Sequence, residues 1–196
     1  MDTHLILISG GGFSTEKNSY IDNFALDLCS THKKKKNIVF IPTASHDAKD
    51  YIKKFDDAFK GHHTYHLTEN ELMNNSCLDY ADLIYIGGGD TNYLLDTWRS
   101  KGFDKKIIEL YEKGIIIVGI SAGAVCWFTH VHENDKLGLG LDILNGSLCP
   151  HYDEINDYQI SYKKWAEMNP KIKHYKLNNN ESLHVKNNQI VAKIIS

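Results

Sequence analysis

Ile115-Ile116-Ile117-Val118 is apolar at every position, so a strand built from it buries both of its faces. Such a strand belongs in the middle of a parallel sheet covered by helices on each side, because a sheet with one wet face alternates apolar and polar residues. The run passes directly into Gly119-Ile120-Ser121-Ala122-Gly123, and the segment after it, Ala124-Val125-Cys126-Trp127-Phe128, can continue as a helix. A buried strand, a glycine-flanked turn and a helix therefore follow one another within about a dozen residues.

The rest of the chain repeats the alternation. Residues 5–9 form a second apolar run ending in Gly10-Gly11-Gly12, residues 37–41 a third closed by Pro42, and residues 83–86 another ending in Gly87-Gly88-Gly89. Residues 63–67 suit a further strand. Helical spacing links Ile21, Phe24, Ala25 and Leu28 in residues 19–29, and Tyr51, Ile52, Phe55 and Phe59 in residues 48–59. Two more helical patterns cover residues 93–98 and 106–113. Strands separated by helices imply right-handed βαβ crossovers, hence an α/β fold with a doubly wound, mostly parallel sheet and helices on both faces. After about residue 135 the pattern changes. Residues 141–150 read as loop and short strand and residues 158–168 as a helix. Residues 173–196 read as a C-terminal β-hairpin turning at Asn187-Asn188. No repeat or linker interrupts the 196 residues, which are expected to form a single domain, 1–196.

Composition narrows the function classes. With 42% apolar residues and no long uncharged run, a membrane span is not expected, and the N-terminus shows no signal-peptide pattern, so the expected location is cytoplasmic. A net charge of −3 gives no electrostatic reason to bind nucleic acid. Cys29, Cys77, Cys126 and Cys149 are scattered and are expected to be reduced. His62-His63 and the pair His130 and His132 lack further ligands at metal-site spacing, so neither a metal nor another cofactor is expected. A homodimer is the default oligomer.

The glycine-flanked Ser121 is the position that carries chemistry. In a G-x-S-x-G elbow the serine sits at a sharp turn between strand and helix, and the glycines let the two elements close up around it. A serine hydroxyl needs a base, and His151, aimed by Pro150 at an expected strand end, is the best placed of 11 histidines. A carboxylate lying between Ser and His in chain order would orient the imidazole. Asp135 is the first candidate and Glu133 the second, with Asp142 and Asp153 behind them. Ala122 and the loop Gly87-Gly88-Gly89-Asp90-Thr91 are placed to supply oxyanion donors. Gly88, Asp90, Tyr152 and Asp153 are the expected substrate contacts. The same residues leave open an esterase of the ordinary α/β-hydrolase type and a non-catalytic binding protein.

Taken together, Val39-Phe40-Ile41-Pro42, Ile84-Tyr85-Ile86-Gly87-Gly88-Gly89-Asp90-Thr91, Gly119-Ile120-Ser121-Ala122-Gly123-Ala124 and Pro150-His151 resemble the serine peptidases of family S51. That family contains the alpha-aspartyl dipeptidases (peptidase E) and, more distantly, cyanophycinase. The resemblance implies a fold like the class I glutamine amidotransferase domain and metal-free cleavage of short peptides. It implies Ser121 as nucleophile, His151 as base, Asp135 as third member, and Gly89 and Ala122 as oxyanion donors. The aspartyl-specific enzymes use an arginine downstream of the catalytic histidine to hold the substrate carboxylate. Here that stretch has only Lys163 and Lys164, the sole arginine of the chain being Arg99. Lysine lacks the planar two-point grip of a guanidinium. Relatives also often carry a Glu soon after the elbow, where this chain has Thr129.

Overall fold

A computed structural model describes residues 1–15, 20–29, 34–133 and 136–195. In chain order the elements are β1 (His4–Ile8), α1 (Tyr20–Leu28), β2 (Asn37–Ile41), α2 (Lys49–Ala58), β3 (His63–His66), β4 (Leu83–Ile86), α3 (Thr91–Lys101) and α4 (Phe103–Glu112). They continue with β5 (Ile116–Ile120), α5 (Ala122–Val125), β6 (Phe128–Glu133), β7 (Lys136–Leu139), β8 (Leu144–Cys149), α6 (Asp157–Met168), β9 (His174–Lys176), β10 (Glu181–Lys186) and β11 (Gln189–Ile195).

Seven strands form one sheet in the order β11-β10-β1-β5-β4-β2-β3. From β1 to β3 every pairing is parallel, and the β10–β11 hairpin adds antiparallel beside β1. The alternation of side chains along each strand divides the core in two. Leu5, Leu7, Val39, Ile41, Ile84, Ile86 and Ile117 pack on one face under α3 and α4, with Trp98, Phe103, Ile107 and Tyr111. Ile6, Ile8, Ile38, Phe40, Tyr85, Val118 and Ile120 pack on the other, with Ile21, Phe55 and Phe59 from α1 and α2. All five residues of β5 are buried, as its unbroken apolar composition requires. Folded this way, the carboxyl ends of β1, β4 and β5 open at one edge, where α/β sheets hold their ligands.

Two expectations need correction. The helix after the elbow is a single turn, α5, because the chain leaves it at once as the strand β6. Residues 173–196 also do not all belong to one hairpin. β9 joins a second sheet of order β7-β6-β8-β9, and only β10 and β11 form the hairpin on the main sheet. That second sheet, with α6, covers the carboxyl edge. Tyr162, Trp165 and Cys149 form its own small apolar cluster, and His132 stacks on the Trp165 ring with centroids 5.2 Å apart. His132 thus takes part in packing there. Among the described residues no helix is long and apolar enough to cross a membrane.

Candidate active site

Ser121 follows the last residue of β5 with φ 50° and ψ −110°, a conformation that a non-glycine residue holds only at a cost of roughly 1–3 kcal/mol. Its surroundings impose that conformation. The Ser121 amide donates to the Ile8 carbonyl of β1 at 2.8 Å, while the Ser121 carbonyl accepts from the Ala124 and Val125 amides at 2.8 and 2.9 Å. Both glycines of the motif are at close backbone approaches. A β-carbon on Gly119 would lie 2.0 Å from the Gly123 carbonyl oxygen, and one on Gly123 would lie 2.4 Å from that of Ile86. Strand, elbow and the neighbouring strand end meet only because neither position carries a side chain.

The base comes from the end of β8. His151 also has positive φ, 51°, and its backbone amide donates to Ser9 Oγ at 2.6 Å, which in turn donates to the Leu177 carbonyl at 3.0 Å. Held in this way, the ring brings Nε2 to 3.2 Å from Ser121 Oγ. That is the upper end of hydrogen-bond range for a nucleophile–base pair. The structure thus brings together Ser121 and His151, the nucleophile and base expected from the sequence.

Glu133, Asp142 and Asp153, three of the carboxylates expected as candidates to orient the imidazole, make their hydrogen bonds to other groups. Asp135 lies outside the described residues. Glu133 is directed elsewhere: its Oε2 accepts from the Thr91 amide at 2.7 Å and the Asn92 amide at 3.3 Å, at the start of α3. Burial pushes its carboxyl above the ordinary value, against the pull of the bonds from Thr91. Asp142 accepts from the Thr129 hydroxyl at 2.5 Å. The atom facing His151 Nδ1 is Asn179 Oδ1, at 2.6 Å, with Glu154 Oε1 3.7 Å from the same nitrogen. Asp153 accepts the Asn179 amide proton at 2.8 Å. Asn179 sits in the turn Asn178-Asn179-Asn180 between β9 and β10. It reaches His151 because β8 and β9 pair in parallel, Cys149 opposite Lys176. The visible signal was this run of asparagines beside a strand end, the residue type that tolerates the left-handed conformation Asn180 adopts, φ 63°.

Of the β4 loop, Gly88 abuts the nucleophile: a β-carbon there would lie 3.2 Å from Ser121 Cβ. Its amide donates to Tyr51 Oη at 3.3 Å. Gly89, with φ 143°, lies against the turn after β2, its β-carbon position falling 2.0 Å from the Ala44 carbonyl oxygen. Asp90 caps α3, accepting from the Tyr93 amide at 2.9 Å. Tyr152 lies under Lys163 and Lys176, whose ammonium groups sit 4.7 and 5.0 Å from its ring centre.

Ser121 and His151 open into a cavity of about 210 Å³ also lined by Ala122, Glu133, Glu154 and Tyr158. A larger concavity of about 550 Å³, between α1 and α2, is lined by Phe13, Asp22, Lys54 and Phe59. It contains no nucleophile–base pair, and the chemistry places the candidate site at the smaller one. Arg99 is remote from that cavity's lining, donating to the carbonyls of Leu139 and Gly140 at 2.5 and 2.9 Å. Among the described residues no cluster of three or more His, Cys, Asp or Glu side chains is arranged to hold a metal.

Residues 5–193 match the model of Peptidase family S51. Over 205 aligned residues the chain is 33% identical to the uncharacterized peptidase YgaJ of Bacillus subtilis (strain 168), covering 98% of this chain and 87% of that one. It is 26% identical to the uncharacterized peptidase Lin0382 of Listeria innocua, over 81% of this chain and 85% of the relative. Among solved structures, a Listeria monocytogenes EGD-e protein described as a peptidase E superposes with TM-score 0.71 at 23% identity, over 99% of this chain and 98% of that one. A peptidase from an acI-B1 Actinobacterium superposes with TM-score 0.74 at 22% identity, over 95% and 85%. The shared architecture is the glutamine amidotransferase-like fold.

Proposed function

The chain belongs to peptidase family S51, and from that premise we propose that it hydrolyses short peptides, as a dipeptidase, with Ser121 as nucleophile and His151 as general base. The observation that carries this reading is the 3.2 Å approach of His151 Nε2 to Ser121 Oγ on a positive-φ elbow. Ser121 Oγ attacks the scissile carbonyl as Nε2 takes its proton. The same nitrogen then delivers that proton to the leaving amine, and a water repeats the cycle on the acyl-enzyme. The oxyanion is met by the Ala122 amide and by the amide of Gly89, the Gly88 amide donating to Tyr51 Oη.

The small volume confines the acyl side to little more than one residue, since ordinary ligand pockets start at roughly 300 Å³. Among the described residues the carboxylates lining it are Glu133 and Glu154, and neither lysine nor arginine lines it. Such a site favours a substrate that presents its free N-terminal ammonium and disfavours an acidic first side chain. Cleavage after an N-terminal Asp would need Lys163 or Lys176 to swing in from above Tyr152.

The deciding experiment is amino-acid release from a dipeptide panel by wild type and Ser121→Ala. Cleavage by wild type, lowered by about 10⁴-fold or more in the variant, supports the peptidase. Hydrolysis of p-nitrophenyl esters without any dipeptide cleavage would favour an esterase instead. Failure of Ser121 to react with a fluorophosphonate would leave a binding protein.

A further inference from the structure

We infer that Asn179 is the positioning residue for His151, with Glu154 behind it as the counter-charge, so that an amide and a carboxylate share the task given elsewhere to one carboxylate. The inference rests on the Ser121–His151 reading and deepens it.

The hydrogen bonds settle which way each group points. A carboxylate only accepts, and Glu154 Oε1 lies 3.0 Å from Asn179 Nδ2. The NH₂ end of the amide therefore faces Glu154, and the carbonyl Oδ1 faces His151 Nδ1 at 2.6 Å. An acceptor there requires the ring proton on Nδ1, which leaves the lone pair of Nε2 toward Ser121 Oγ. That is the tautomer a general base needs. An amide fixes the tautomer but offers no net charge to the imidazolium formed during reaction. Glu154, 3.7 Å from Nδ1, supplies it.

The arrangement is held from several directions. The Asn179 amide donates to Asp153 Oδ1 at 2.8 Å, and the Asn180 amide donates to the Gly10 carbonyl at 2.9 Å. The Glu154 amide donates to the His151 carbonyl at 3.0 Å, placing Glu154 beside the ring. Other charged groups around the imidazole are Glu133 across the cavity, Asp153 on the Asn179 amide, and Lys163 and Lys176 over the adjacent Tyr152. Among the described residues, Glu154 is the carboxylate within 4 Å of His151 Nδ1.

The test compares Asn179→Ala, Glu154→Gln and the exchange Asn179→Asp with Glu154→Gln. In the exchange a carboxylate faces the ring and an amide backs it: the ring still donates to residue 179, and the second hydrogen bond forms with its direction reversed, residue 154 now donating to residue 179. Each enzyme is read as kcat and KM against pH on a cleaved dipeptide, and as the rate at which a fluorophosphonate labels Ser121. Asn179→Ala is expected to lower kcat and labelling about 100-fold or more with little change in KM. Glu154→Gln is expected to move the acidic limb of the rate profile to lower pH, because a negative charge beside the forming imidazolium is gone. The exchange restores the rate and moves that limb back up. Wild-type kcat and labelling in Asn179→Ala, or an acidic limb unmoved in both other enzymes, would overturn the inference. Labelling separates the two claims. If wild type cleaves no dipeptide yet Asn179→Ala still slows labelling, the peptidase reading falls and the role of Asn179 stands.

Discussion

Gly10 and Asn179 meet where there is room for only one side chain: a β-carbon on Gly10 would lie 2.3 Å from Asn179 Oδ1 and 2.9 Å from His151 Cε1. The end of β1 thus leaves open the space in which the imidazole and its amide partner face each other. The Gly10 φ is not among the positive values, so alanine is compatible with the backbone there. Gly10→Ala should therefore fold, with a melting temperature within a few degrees of wild type, while displacing the Asn179 and His151 side chains. Peptide turnover is expected to fall by about the same factor as in Asn179→Ala. A thermal melt beside a kcat measurement checks both halves, and full activity in Gly10→Ala would show that the pair tolerates displacement.

The elbow glycines have a different role. Their absent β-carbons would strike backbone, which cannot rotate away: Gly123 O at 2.0 Å from the Gly119 position and Ile86 O at 2.4 Å from that of Gly123. Gly119→Ala and Gly123→Ala should each destabilise by about 3 kcal/mol or more, the upper end of overpacking costs. Urea unfolding measures this directly. A loss under about 1 kcal/mol in either variant would mean that β5 and α5 can move apart without disrupting the core.

Glu133 links stability to pH. Burial, the larger effect, raises its carboxyl above the ordinary value, and the hydrogen bonds from Thr91 only partly oppose this. A carboxyl whose folded value is raised stabilises the fold in acid, and that contribution is lost as pH rises through the raised value. Glu133→Gln removes the ionisation and keeps an acceptor for the Thr91 and Asn92 amides. The variant should unfold at a higher urea concentration than wild type at pH 7, and the gap should close as pH falls below the ordinary carboxylate range. If Glu133 faces the substrate ammonium, the same variant raises KM, a trade of function against stability. Equal midpoints at pH 7 would argue against an ionised Glu133.

Much of the main sheet could be read from local pattern, because β1, β2, β4 and β5 are continuous apolar runs and α2 has one clean apolar stripe. The covering sheet could not. In β6, Phe-Thr-His-Val-His-Glu mixes buried and half-buried positions without strict alternation, and β7 is mostly exposed at an edge. Ser121 and His151 were legible because each stands in a short motif whose geometry is local. Asn179 was not. Its contact with His151 spans 28 residues and depends on β9 pairing with β8, a tertiary relationship that residues 178–180 do not encode by themselves.

Cysteine chemistry separates Ser121 from any thiol-based mechanism. Burial pushes the Cys29 thiol up to about 11 and the Cys149 thiol to about 12, raises Cys77, and drives the fully buried Cys126 well above its ordinary value. Cys126 lies just past the elbow, but it packs inward and its sulfur donates to the Gly123 carbonyl rather than opening into the cavity. Thiolate, the reactive form, is therefore scarce at neutral pH. Incubation with iodoacetamide at pH 7.5 should leave peptide turnover unchanged, while a fluorophosphonate abolishes it with one label per chain on Ser121. Loss of activity in step with alkylation, and no loss with fluorophosphonate, would transfer the nucleophilic role to a cysteine.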